Sequence, residues 1–374
     1  MAPYDAFLLV SFGGPEGRED VMPFLRNVTA GRRVPEDRLA AVAEHYYRFG
    51  GVSPINAQCR DLLAAIEQEF AAGGIELPVY WGNRNWEPYL SGAIRSMADH
   101  GVRNAIAFAT SAYSSFSSCR QYLDDIDRAR AQAGPGAPLV TKIPPYFGRR
   151  EFVGSFAAAA ARALRALPAA SRDDADLVFT AHSVPEPMAA ASGPAGWAYP
   201  AQLTEVASLV AARLGRSGWR LAYTSRSGPP SVPWLGPDIG ETLTELAQAG
   251  SRAVVVVPIG FVSDHMEVIF DLDIEAAGLA EELGLSLVRA ATPGTDRRFV
   301  SMISDLVRDF QPGGASRAAD DLAPDSGYFC QPGCCGAGPA APPGPAALPG
   351  QAVLPGPAAL PGPAAPAGPD PAGR

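Results

Sequence analysis

Lysine is almost absent: Lys142 is the only one, and the rest of the 30 basic residues are arginine. Any anion site must therefore be built from guanidinium groups or backbone amides, and arginine suits paired contacts to carboxylates. Positive charge is also in deficit, since 39 acidic residues leave a net charge of −9. That balance excludes nucleic acid as a partner, because phosphate binding needs a basic face. Long apolar runs are missing too. The longest, residues 253–262, spans ten residues and carries Pro258 and Gly260, far short of the roughly 20 that a transmembrane helix needs. The first residues, MAPYDAFLLVSFGG, have no basic stretch before their apolar run, so no secretory leader is expected. Cysteine is scarce and odd in number, five in all, which fits a cytoplasmic chain with reduced thiols better than a disulfide framework.

What is present is an alternation. Short β-rich runs at 6–12, 78–82, 104–110, 139–143, 177–181, 220–224, 253–261 and 285–290 are separated by helical patterns. Those patterns include 87–100, 119–133, 151–167, 201–214, 239–249, 266–283 and 297–310. Runs that are apolar throughout, rather than alternating, belong to parallel strands buried on both faces. The pattern predicts an α/β, doubly wound chain. Residues 79–115 run parallel to 222–264, with Gly101 matching Gly250 and Arg103 matching Arg252. LLVSFGGP, ending at Pro15, likewise matches VFTAHSVP, ending at Pro185. Two similar lobes, residues 1–150 and 151–312, would then face each other across a cleft, a usual place for a ligand. A cysteine-containing extension, 313–336, follows. Last comes a Pro/Ala/Gly-rich stretch, 337–374, expected to be disordered because it buries too little to offset its ordering entropy.

Only four histidines exist, and two follow buried strands: His182 in HSVP and His265 in VSDHME. Loops at the carboxyl ends of parallel strands line the ligand crevice, so both are candidates for it. After His265, Glu267, Asp271 and Glu275 recur every fourth residue, one stripe of a helix. With no lysine or arginine interposed, these carboxylates repel one another unless a cation or protons bind. A divalent metal is a natural partner. Crowding with Asp271 is expected to raise the pKa of Glu267.

These segments resemble the ferrochelatases. PIGFVSDHMEVIFDLDIE and FTAHSVP look like the family's signature region, and VSFGGPEG, HYYRFGGVSPIN and TSAYSSFSSCRQY resemble its other porphyrin-cleft segments, in family order over about residues 4–310. The resemblance implies a chelatase-like fold of two Rossmann-like lobes, each a parallel four-stranded sheet flanked by helices. It implies insertion of Fe²⁺ into a porphyrin, with His182 and Glu267 as catalytic and metal-binding groups on opposite faces of the ring. Asp271 and Glu275 match a ridge that conducts metal or protons. Ser53 and Tyr122 match residues at the porphyrin periphery, and Tyr46, Arg26 and Arg48 are weaker matches for propionate contacts. Family members can carry Tyr where Phe12 stands here; a phenyl ring cannot ligate, so Phe12 is expected to pack. The actinobacterial-type resemblance points to coproporphyrin III rather than protoporphyrin IX, hence to iron coproporphyrin III in haem biosynthesis.

Cys330, Cys334 and Cys335 crowd together near the end. Clustered thiolates suit a soft metal site that needs a fourth ligand. Some family members carry a two-iron, two-sulfur cluster here, with an internal fourth cysteine that matches Cys119; Cys59 reads as a small buried hydrophobe. A zinc site or free thiols are the alternatives. Other functions stay open: a cobalt or nickel chelatase, or a non-catalytic haem or porphyrin carrier. An iron–sulfur redox protein would need a second cofactor motif, and none is evident. A monomer is favoured.

Overall fold

The apolar run after Tyr4 becomes β1 (Ala6–Ser11), buried at every position, because it lies in the interior of a sheet with helices on both faces. In the computed structural model, which describes residues 3–31, 34–226, 231–311 and 334–336, that sheet has the order β2-β1-β3-β4. Its other strands are β2 (Val79–Asn83), β3 (Asn104–Ala109) and β4 (Leu139–Lys142), and all pairs are parallel. The second sheet has the order β6-β5-β7-β8, also parallel throughout. It is built from β5 (Asp176–His182), β6 (Arg220–Thr224), β7 (Ala253–Val257) and β8 (Ser286–Arg289). Inner strands β1 and β7 are wholly buried, whereas edge strands β4 and β8 are short and half-exposed, as parallel sheets require.

The helices in the first half are α1 (Arg18–Val28), α2 (Glu36–Tyr47), α3 (Ile55–Ala72), α4 (Leu90–Asp99) and α5 (Gln121–Ala133). In the second half they are α6 (Arg150–Ala166), α7 (Glu186–Ala190), α8 (Ala198–Arg213), α9 (Ile239–Gln248), α10 (Ala277–Glu282) and α11 (Arg297–Phe310). The backbone makes the internal repeat plain. The Asn83 N–H donates to the Pro88 carbonyl at 2.7 Å, as the Tyr223 N–H does to Pro237 at 2.9 Å. Gly101 and Gly250 follow α4 and α9 with φ of 77° and 90°, the left-handed conformation that glycine tolerates. The carbonyls of Arg103 and Arg252 then accept the N–H groups of Leu139 and Ser286, at the start of each edge strand.

The two sheets are not separate bodies. One apolar core joins Phe7 and Phe108 of the first, with Phe70 of α3 and Tyr146 after β4, to Leu177, Phe179, Val255 and Val257 of the second, through Phe152 and Phe156 of α6 and Phe299 of α11. Burying each such phenylalanine contributes about 1.5–3 kcal/mol. Polar ties add to it: the Tyr113 hydroxyl donates to the Ile259 carbonyl at 2.8 Å, and the Ser114 N–H to Gln202 at 2.8 Å. The helical pattern at 266–283 contains a π-helical segment, Val268–Ala276, before α10, and a π-helical turn, Phe116–Arg120, precedes α5. Both flank the cleft, where such irregularities often serve function. Residues 312–333 and 337–374, which include Cys330 and the Pro/Ala/Gly-rich stretch, lie outside the described residues.

Candidate active site

The strands set the site. His182 is the last residue of β5, and Glu267 follows the loop after β7. Gly260 lets that loop cross β5 closely: a Cβ there would sit 2.6 Å from Ala181, and its N–H donates to the Thr180 carbonyl at 3.0 Å. A cavity opens between the lobes. Phe12, Tyr46, Ser53 and Tyr122 line it from the first lobe, and His182, His265 and Glu267 from the second.

His182 and Glu267 meet directly, Nε2 to Oε1 at 3.3 Å. This corrects the opposite-face expectation. Groups that sandwich a flat ring must stand about 7 Å apart, two van der Waals contacts of about 3.5 Å each, so this pair stands on one side of any such ring. The other imidazole nitrogen, Nδ1, contacts the Ser183 carbonyl, and the Tyr199 hydroxyl donates to the His182 carbonyl at 2.8 Å. Burial pushes the His182 pKa down, but Glu267's charge and hydrogen bond, helped by the Ser183 carbonyl and Asp271, raise it to about 8.

The protonation pattern of the stripe also differs from expectation. Burial pushes Glu267 up, yet His182, and then His265, hold its carboxyl below the usual range. The raised group is Asp271, driven well up by burial and then by Glu267, with Ser225 opposing. The Ser225 hydroxyl donates to an Asp271 oxygen. Burial and Asp238 raise Glu275 to about 7 against the opposing pull of Arg48. Along the stripe the first carboxyl is thus shifted down and the next two up. Asp271 and Glu275 are not among the lining residues. His265 is lowered by burial, against Glu267; its Nδ1 accepts the Glu267 N–H at 3.2 Å. Asp273, off the stripe, pairs with Arg289 at 2.6 Å.

On the first-lobe wall, Ser53 and Tyr46 are buried and Phe12 packs near Phe24. Arg26 and Arg48 are not among the lining residues. Arg26 pairs with Glu36 on the surface, and Arg48 lies over the Phe270 ring at 5.7 Å, toward the outer end of the stripe. The residue sequence reasoning missed is Arg84. It follows β2 directly, a position the strand-end rule would have flagged. It pairs with Asp125 and lies 4.5 Å over the Tyr122 ring and 5.7 Å over Phe12. Trp234, in the second copy of the repeat, was also missed as a lining residue.

Of the proposed thiol set, Cys119 is buried in the π-helical turn, and Cys335 is buried with its sulfur accepting the Gly193 N–H at 3.2 Å. Burial raises the Cys335 thiol, Gly193 opposes, and the nearby Cys119 raises it further. Cys334 and Cys335 sulfurs are 3.7 Å apart. Cys330 lies outside the described residues, among which no three His, Cys, Asp or Glu side chains form a group that could hold a metal ion. Cys59 is fully buried, its thiol pushed up to about 11 by burial.

A family model described as ferrochelatase matches residues 4–310. A coproporphyrin III ferrochelatase of Nocardia farcinica is 53% identical over 329 residues, covering 87% of this chain and 93% of that one. Others from Mycolicibacterium smegmatis and Frankia alni are 50% and 52% identical, each covering 88% of this chain and 99% and 86% of theirs. With a family match across both lobes and the cleft between them, the chain belongs to the ferrochelatases, enzymes that insert a metal into a porphyrin.

Proposed function

We propose that this enzyme inserts ferrous iron into coproporphyrin III, the substrate named for its relatives. The observation that carries the chemistry is the His182–Glu267 pair on the cavity wall, with Asp271 and Glu275 in line behind it. Fe²⁺ must displace the pyrrole N–H protons, which balances charge but requires a base at the ring centre. His182 supplies it. Because the imidazole is largely protonated in the free site, it first releases that proton to solvent along the ridge, leaving Glu267 ionised. Its freed nitrogen then takes one pyrrole proton, passes it out by the same route and takes the second, so that both have left when Fe²⁺ is bound. Glu267, already ionised, is the oxygen ligand that meets the incoming dication, and Asp271 and Glu275 carry metal or protons along the same ridge. The facing wall offers nothing comparable, since Phe12 has no ligating atom and Arg84 is a fixed cation. Phe12, Ser53, Tyr46 and Tyr122 hold the macrocycle; we assign Arg26 and Arg48 no contact with it.

We further infer that Cys119, Cys330, Cys334 and Cys335 hold a two-iron, two-sulfur cluster. Support comes from the thiol chemistry and from the burial of Cys335 beside Cys119. Such a cluster supplies one-electron chemistry when bound. Protein purified without oxygen should absorb visible light and carry iron and sulfide in equal amounts; colourless zinc protein would reject it. Ferrous iron and free thiols both persist in the cytoplasm, where we place the reaction.

The activity is tested by supplying Fe²⁺ anaerobically with coproporphyrin III or with protoporphyrin IX. The metal-free absorption spectrum should give way to that of the metallated ring, faster with coproporphyrin III. Binding of either porphyrin without metallation would make the protein a carrier, and metallation only by cobalt or nickel would reassign the metal.

A further inference from the structure

Arg289 ends β8, at the carboxyl edge of the second sheet, as His182 ends β5. Its guanidinium reaches two carboxylates. Nε and Nη2 donate to Asp273 at 2.6 and 2.8 Å, a forked contact, and Nη1 and Nη2 donate to Asp264 at 3.1 and 3.5 Å. Nη1 also donates to the Ala290 carbonyl at 3.4 Å. The five N–H groups of the fork are thus matched by five contacts to oxygen.

The two carboxylates bracket the residues assigned to the chemistry. Asp264 stands shortly before Glu267, and Asp273 lies within the π-helical segment Val268–Ala276, just beyond Asp271. Asp264 is held from other sides too. Its carboxylate accepts the Thr292 hydroxyl at 3.0 Å, and its N–H donates to the Gln58 side chain of α3 at 2.8 Å. The next residue, His265, accepts the Glu267 N–H at Nδ1, which carries the anchorage on to Glu267.

Stability alone does not account for this arrangement. The side chains of Arg289, Asp264 and Asp273 are 15%, 20% and 35% exposed, and ion pairs that water reaches contribute little to folding. What a planar fork adds is geometry, because one rigid group fixes two carboxylates relative to each other. A π-helical segment is a rare conformation that marks functional sites, and its placement beside the cleft calls for such a fixed point. Arg289 itself is not among the cavity-lining residues, so any part it plays in the reaction passes through the segment it holds.

We infer that Arg289 is a positioning residue, a brace joining Asp264 to Asp273 that keeps Glu267 set against His182. The inference rests on the metal-insertion reading of that pair.

The test is Arg289→Gln in the full chain, which removes both the charge and the fork. Groups that orient a metal ligand are worth about ten- to a hundredfold, so kcat/KM for Fe²⁺ should fall by that factor. Metal-free coproporphyrin III, titrated by absorbance, should bind as tightly as to the parent. Equal losses of binding and insertion would make Arg289 a general structural tie, and unchanged insertion would leave it without a part; both overturn the assignment. Arg289→Lys separates geometry from charge. An ammonium cannot fork onto both carboxylates, so insertion should stay low, and full rescue by lysine would overturn the brace. Should neither variant fold, Asp273→Asn cuts the more exposed arm alone. Reduced insertion with porphyrin binding kept would then support the brace, and any other result would overturn it. A parent protein that inserts no iron into coproporphyrin III would instead sink the function proposed above.

Discussion

Each lobe holds a buried ion pair at the carboxyl end of a strand beside the cavity, and these two pairs differ in one respect. Arg84 and Asp125 in the first lobe have side chains 3% and 12% exposed; His182 and Glu267 in the second are 21% and 7% exposed. A guanidinium does not give up its proton in a protein, so the first pair is a fixed strut. An imidazole does, so the second changes its charge within the physiological range. On the function proposed above, a repeated backbone is thus given to holding on one side and to chemistry on the other, and the identity of the cation decides which is which.

The comparison can be broken most forcefully at His182. His182→Ala should lower metal insertion by about 10²- to 10⁴-fold, the usual share of a positioned base, while porphyrin titration shows binding retained. Turnover like that of the parent would remove His182 from the mechanism. Next in size, Asp125→Asn strands a buried Arg84 and should cost about 3–5 kcal/mol of stability in urea unfolding, without moving the pH dependence of turnover. A moved pH profile would mean that the first-lobe pair also takes part in the chemistry. The subtlest signal comes from Glu267→Gln. In the parent, the base is free only above its pKa, so kcat/KM should rise with pH through about 8. Without the carboxylate, burial dominates and the His182 pKa falls, so the rise should move to lower pH. An unmoved limb would assign it to another group.

Much of the fold was legible. All eight strands fall within a few residues of the apolar runs, because parallel strands buried on both faces need continuous apolar sequence. The run at 253–261 overshoots: β7 stops at Val257, since Pro258 has no N–H to give the ladder and Gly260 is occupied by its approach to Ala181. The loops bearing His182 and Glu267 were legible from their places at strand ends. The distance between them was not, since sequence orders loops without measuring gaps. Counting carboxylates predicted a raised Glu267 and overlooked the imidazole that holds its charge, which moved the proton to Asp271. The π-helical segments leave no mark in composition. Arg26 and Arg48 were chosen by proximity in sequence, while Arg84, one residue beyond a strand, was the arginine on the wall.

The phenylalanine-rich core that unites the sheets bears on how product departs. Hinged jaws need a seam, and α6 and α11 fill the place where one would run. A rigid-body swing of the two sheets would have to break that core, so movement of side chains at the mouth is the cheaper way to let a flat product slide out along its own plane.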